Sequence, residues 1–188
     1  MLDLARIEAR RGKDFVLQAL ELGQLVTEVV RAHRVPAGRA APDIALPGQP
    51  LWVQADAGKL RQAVLNVLAN AFKYSPDGGA VRIEVMRDGD GHRACIRVID
   101  LGIGMPAEVV GHVCERFYRA DKSGRLPGTG LGMSIVKEII DLHHGGIAIA
   151  SAPGAGTAVS LYLPIASAPV TAGSAPTGAQ CVSDQVLA

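Results

Sequence analysis

An α/β fold is what the sequence predicts, and three observations predict it. Leu22, Leu25, Val26, Val29 and Val30 recur at i, i+3, i+4, i+7 and i+8, the spacing of an amphipathic helix. Val81, Ile83 and Val85 alternate with polar residues, and Asp88-Gly89-Asp90-Gly91 turns the chain back into a second strand over 94–100, which makes a hairpin. Helical and strand patterns are interspersed along one chain of 188 residues, enough for one domain with short extensions.

The bulk composition bounds the function. A hydrophobic share of 48% supplies a core and excludes global disorder. A net charge of +1 and an aromatic share of 4% argue against a nucleic-acid or lipid surface, which needs clustered cations or stacking rings. Cys95, Cys114 and Cys181 are odd in number and lack metal-ligand spacing. They read as free thiols in a reducing compartment. No apolar run approaches the ~20 residues of a membrane span, and residues 1–11 are charged where a signal peptide would be apolar. A soluble, cytoplasmic chain is expected.

The elements follow in order. Residues 2–11 read as a short charged helix stopped by Gly12, and residues 15–20 as a strand. The helix from Leu22 is followed by a loop over 36–42. Short strands at 44–46 and 51–55 flank Pro47-Gly48-Gln49-Pro50. Asp56 suits the N-cap of a helix running to about Tyr74, where Ser75-Pro76-Asp77-Gly78-Gly79 ends it. After the hairpin, residues 102–130 hold no long periodic segment beyond a short helix after Pro106, and a loop of that length is a functional signal. A helix over 131–142 stops at Gly145, and strands at 147–150 and 158–163 close the domain around Pro153-Gly154-Ala155-Gly156. From Ile165 onward Ala, Gly, Ser, Pro and Thr dominate, the composition of a flexible tail.

Three segments carry chemistry. On the helix from Asp56, the residues Gln62, Asn66, Asn70 and Lys73 share one face. Asn is a poor mid-helix residue, so two on one stripe point to a need for the amides. An Asn carbonyl oxygen suits Mg²⁺, and Lys73 offers a point charge to phosphate. Next, Asp100-Leu101-Gly102-Ile103-Gly104 follows a strand directly. A carboxylate there accepts from an exocyclic amine such as that of adenine, and the glycines let backbone approach a flat ring. Last, Gly128-Thr129-Gly130-Leu131-Gly132 opens a helix, whose free N–H groups and dipole favour an anion such as triphosphate. It is neither a Walker A loop nor a dinucleotide fingerprint.

Taken in this order, the segments resemble the ATP-binding catalytic domain of sensor histidine kinases. Asn66-Val67-Leu68-Ala69-Asn70-Ala71-Phe72-Lys73-Tyr74-Ser75-Pro76 resembles the family's N box, Asp100 to Gly104 its first glycine box, and Glu115-Arg116-Phe117-Tyr118-Arg119 its F box. Gly128 to Gly132 resembles the second glycine box. His144-Gly145-Gly146 and Gly154-Ala155-Gly156-Thr157 are similar to the family's ending. The resemblance implies a two-layer α/β sandwich of the Bergerat type, a mixed, mostly antiparallel sheet with helices packed on one face, over residues 13–164. It also implies roles. Asn70 would hold Mg²⁺ with Asn66 in the same polar network, and Lys73 and Tyr74 would contact the nucleotide. Asp100 would read adenine beside Gly102 and Gly104. Gly128, Thr129, Gly130, Leu131 and Gly132 would line the phosphates, and Arg119 would approach the transferred phosphate from a lid spanning about 111–130.

The resemblance also implies partners: a histidine-bearing dimerisation domain and a downstream response regulator. None of His33, His92, His112, His143 and His144 sits in the family's acceptor context of a histidine followed by an acid. Residues 1–12 are similar to the end of the acceptor hairpin's second helix, so the acceptor is expected on another chain or segment, residues 165–188 being a tail. Two alternatives stand beside this: a regulatory pseudokinase that binds nucleotide, and a serine kinase of the same superfamily. Hydrolysing relatives need a glutamate base in the N-box helix, and no Asp or Glu lies between Lys59 and Pro76.

Overall fold

The computed structural model describes residues 15–75, 78–119 and 129–168. The expected helix over 2–11, residues 120–128 of the lid, Cys181 and the tail beyond 168 lie outside them. Seven strands and four helices are described: β1 (Gln18–Glu21), α1 (Leu22–Ala32), β2 (Asp43–Ala45), β3 (Trp52–Ala55), α2 (Ala57–Lys73), β4 (Val81–Arg87), β5 (Arg93–Asp100), α3 (Ala107–His112), α4 (Gly132–Leu142), β6 (Gly146–Ser151) and β7 (Thr157–Pro164).

The main sheet runs β2-β4-β5-β7-β6. Only the β2–β4 pair is parallel. Strand periodicity sends Val81, Ile83 and Val85 of β4, Ala94, Ile96 and Val98 of β5, and Val159, Leu161 and Leu163 of β7 to one buried face. Register stacks them into rows, such as Ile83–Val98–Val159–Ile149. Over this face lie α2 and α4, and α1 packs on α2. Leu60, Val64 and Leu68 of α2 meet Val136, Ile139 and Ile140 of α4 in one core. Each large side chain buried there contributes roughly 1.5–3 kcal/mol. The opposite sheet face is polar, with Arg97 Nε donating to Ser160 Oγ at 3.1 Å and Arg82 paired with Glu84 at 3.0 Å.

Capping fixes where the helices begin. Asp56 caps α2 as expected, its Oδ1 accepting from the Lys59 N–H at 2.9 Å. Glu21 caps α1, its carboxylate accepting from the N–H groups of Gly23 at 2.9 Å and Gln24 at 2.5 Å. The first strand therefore ends at Glu21, and it starts three residues later than expected, because pairing with β3 begins at Gln18↔Ala55.

One expectation needs correction. The tail does not start at Ile165. Ile165 bridges Val53 and packs against the core, and the Ala166 N–H donates to the Trp52 carbonyl at 2.7 Å, so backbone pairing continues past the last strand. His143 is buried at the end of α4. It is 3% exposed, its Nδ1 donates to the Ile139 carbonyl at 2.7 Å, and its Nε2 accepts from the Asp56 N–H at 3.0 Å. Burial pushes its pKa down and keeps the ring neutral, so His143 ties the end of α4 to the start of α2. Among the described residues no helix is long and apolar enough to cross a membrane.

Candidate functional site

A cavity of about 470 Å³ opens between the inward face of the sheet and the helices. Its position follows from strand periodicity. Ala94, Ile96, Val98 and Asp100 all face inward, so the last inward position of β5 carries a carboxylate where its predecessors carry methyl groups. Asp100 is 7% exposed. Gly102 N–H donates to its Oδ1 at 2.9 Å, and the Ser75 hydroxyl donates to the same oxygen at 3.4 Å. Burial raises the Asp100 pKa, while these donors and the Thr157 backbone pull it back. Val98, Val159 and Ile149 form an apolar floor beside it.

The glycines after Asp100 are there for close approach. At Gly104, φ is 65°, and a Cβ would come within 1.9 Å of the Ala152 carbonyl oxygen. At Gly102 a Cβ would come within 2.1 Å of the Tyr74 carbonyl oxygen. Gly104 lines the cavity, whereas Gly102 packs behind it on the end of α2, where Ile103 N–H donates to the Tyr74 carbonyl at 2.9 Å. The turn between β6 and β7 closes this loop from the other side. There the Ser151 hydroxyl accepts from Met105 N–H at 2.8 Å and donates to the Gly156 carbonyl at 2.9 Å.

From α2, Asn70, Lys73 and Tyr74 line the cavity. Lys73 Nζ donates to Tyr74 Oη at 3.0 Å and lies 4.6 Å from that ring's centroid. Asn66 is set back: its Nδ2 donates to the Gly132 carbonyl at 3.5 Å, linking α2 to the start of α4. Gly132 lines the cavity opposite Asn70, so close that a Cβ on it would lie 3.8 Å from Asn70 Nδ2. Among the described residues no side chain caps α4, whose first-turn N–H groups face an acceptor-poor start. Thr129 and Gly130 also line the cavity, and Leu131 precedes the helix as its N-cap.

The F-box and second-glycine segments, separate in sequence, meet here. Phe117 N–H donates to the Gly130 carbonyl at 3.1 Å, and both residues hold positive φ, 63° and 73°. A Cβ on Gly130 would strike the Tyr118 carbonyl oxygen at 2.8 Å. This docking sets Tyr118 and Arg119 on the cavity wall. Sequence reasoning assigned no role to Thr157, Met105 or Tyr118, which also line the cavity. Thr157 was detectable from pairing, since the strand closing the domain must place a residue beside Asp100, and its register partner is Thr157.

The donor set bears on Mg²⁺. Among the described residues no group of three or more His, Cys, Asp or Glu side chains could cage a metal. One carboxamide, that of Asn70, faces the cavity beside the start of α4. Mg²⁺ keeps several waters and is commonly carried by substrate phosphates with few protein ligands, so this set fits a phosphate-borne ion.

Comparison with known proteins gives a consistent result. Residues 55–167 match the family of histidine kinase-, DNA gyrase B-, and HSP90-like ATPases. The chain is 36% identical over 171 residues to the sensor histidine kinase TmoS of Ectopseudomonas mendocina, covering 88% of this chain and 17% of that one. It is 41% identical over 121 residues to the sensor histidine kinase WalK of Bacillus subtilis, covering 63% of this chain and 20% of that one. It thus spans about a fifth of the length of these relatives. Among solved structures, the mycobacterial sensor histidine kinase MprB superposes with a TM-score of 0.69 at 31% identity, covering 80% of this chain and 98% of that one. Full-length ShkA in complex with AMPPNP superposes with a TM-score of 0.68 at 27% identity, covering 81% of this chain and 32% of that one.

Proposed function

The chain belongs to the histidine kinase-, DNA gyrase B-, and HSP90-like ATPase family, and within it we propose that this domain binds Mg-ATP and donates the γ-phosphate to a histidine outside residues 1–188. The observation that carries the reading is the cavity's polarity pattern. A buried carboxylate stands at the end of an otherwise apolar strand face, and Asn70, Lys73 and the uncapped start of α4 share the same cavity.

In this reading the Asp100 carboxylate accepts a hydrogen bond from the exocyclic amine of adenine, while Val98, Val159 and Ile149 bury the ring. Gly104 lets the ring approach the backbone. Asn70 holds Mg²⁺, which when bound offsets charge on the phosphates. Lys73 and the N–H groups opening α4 hold phosphate oxygens. Gly128, beyond the described residues, belongs to the same glycine segment. Arg119 approaches the transferred phosphate and stabilises the charge that develops there. α2 carries no Asp or Glu after Lys59, so this helix offers no general base for water attack. Transfer to a protein side chain is favoured over hydrolysis. A response regulator would then receive the phosphate from that histidine.

Two measurements test this together. Calorimetric titration with ATP, with and without Mg²⁺, should give saturable binding strengthened by the ion. Incubation with γ-labelled ATP and a separately supplied histidine-bearing hairpin from a sensor histidine kinase should label the hairpin's histidine and leave this chain unlabelled. Binding without label would leave a nucleotide-sensing module, and no binding would remove the reading altogether.

A further inference from the structure

The loop between α1 and β2 carries an arginine that reaches across to the chain leaving α2. Arg39 lies before the segment that matches the family, which begins at residue 55. Its guanidinium donates to the Ser75 carbonyl at 2.5 Å and to the Gly79 carbonyl at 2.8 Å. The same guanidinium carbon lies 5.3 Å from the Phe72 ring centroid. The His33 ring stacks on Phe72 as well, at 5.3 Å and 16°. Phe72 is 6% exposed, so this stack is anchored in the core.

The carbonyls that Arg39 holds belong to the chain leaving α2, where backbone donors run out, carbonyls are left unpaired and a cation is favoured. That same short segment supports Asp100 and its loop. The Ser75 hydroxyl donates to Asp100 Oδ1, the Tyr74 carbonyl accepts from Ile103 N–H, and Gly102 rests on the Tyr74 carbonyl. A planar guanidinium can hold two carbonyls at once and lie on a ring, which an ammonium cannot.

We propose that Arg39 is a positioning residue for the adenine end of the site, clamping Ser75 and Gly79 so that Ser75 and Tyr74 hold Asp100 and the Gly102–Gly104 loop in register. The proposal rests on the nucleotide reading for its ligand, but the positioning itself does not need a ligand to be seen. Loosening the clamp lets the Asp100 carboxylate drift relative to the ring amine. The phosphate contacts, made by α2 and α4, are left in place. Adenine preference is therefore the quantity that Arg39 controls.

The test uses the full chain as wild type, Arg39→Gln, Arg39→Lys and Val29→Ala. The last truncates a buried side chain of α1 that does not line the cavity, chosen as a control for simple destabilisation. ATP and GTP are titrated against each, and amide exchange at Ile103 is followed without nucleotide. Arg39→Gln is expected to lose ATP affinity by about tenfold, the scale of losing hydrogen bonds from a charged donor. GTP affinity should fall less, so the ATP-over-GTP preference narrows. Ile103 exchange should quicken while Ile96, in the sheet interior, keeps its rate. Arg39→Lys should lie between, and it carries the comparison if Arg39→Gln does not fold. Val29→Ala should melt earlier with its preference intact. An Arg39 variant with wild-type nucleotide preference and wild-type Ile103 exchange would overturn the proposal. A wild-type chain that binds no ATP would instead sink the reading of the cavity, and the exchange measurement would still decide the role of Arg39.

Discussion

Asp100→Asn separates function from stability most sharply. The substitution keeps the shape of a side chain that is 7% exposed, and removes its charge. On the binding side, a charged acceptor for the adenine amine is lost. Hydrogen bonds to charged groups are worth about 1.5–3 kcal/mol, or roughly 10- to 150-fold in Kd. The Asn amide can also present a donor to a donor, which places the loss toward the upper part of that range. On the stability side the sign reverses. Burial raises the folded-state pKa of Asp100 above its ordinary value of 3.8. The folded protein therefore holds this proton more tightly than the unfolded chain does. This group's contribution to stability is greatest below the unfolded pKa and is lost as pH rises through the folded one. At neutral pH the carboxylate is ionised at a cost, and the neutral Asn removes that cost while leaving an acceptor for Gly102 N–H and Ser75. The nucleotide-free variant should melt at or above the wild-type temperature while binding ATP at least tenfold more weakly. Differential scanning fluorimetry and calorimetric titration on the same samples check both halves. An unchanged ATP affinity would refute the adenine role, and a sharply lowered melting temperature would make Asp100 a structural carboxylate.

Asn70→Ala should abolish the gain in ATP affinity that Mg²⁺ provides and leave the Mg²⁺-free affinity close to wild type, as read by titration with and without EDTA. Gly104→Ala should destabilise the domain by about 2–4 kcal/mol in urea unfolding, since the residue holds φ 65° and the new Cβ would sit 1.9 Å from the Ala152 carbonyl oxygen. The pKa of His143 is held below its ordinary 6.5 by burial, so its contribution to stability is present above that pH and is lost as pH falls through the window beneath it. The melting temperature should fall between pH 7 and pH 5, and His143→Gln should flatten that fall without erasing it, because burial also lowers the pKa of His33; equal slopes in the two proteins would count against the assignment.

Local pattern was enough for much of this domain. The periods of 3.6 and 2 placed α1, the β4–β5 hairpin and the helix from Asp56 to within a few residues, because each buries one face and so writes that face into its spacing. The Asp100, Asn70 and Gly130 segments were visible for a related reason: each breaks the local rule for its element, with a charge on an inward strand face, an amide in mid-helix or glycines at a helix start. Long-range pairing has no such local trace. That Thr157 lies beside Asp100, that Phe117 docks on Gly130, that His143 ties α4 to the N-cap of α2, and that Arg39 holds the Ser75 and Gly79 carbonyls all depend on contacts between residues distant in sequence. One-dimensional order says which groups are available for chemistry. Sheet register and helix packing settle which of them meet, because burial drives the chain to close while leaving the choice of neighbours to the geometry of the whole core.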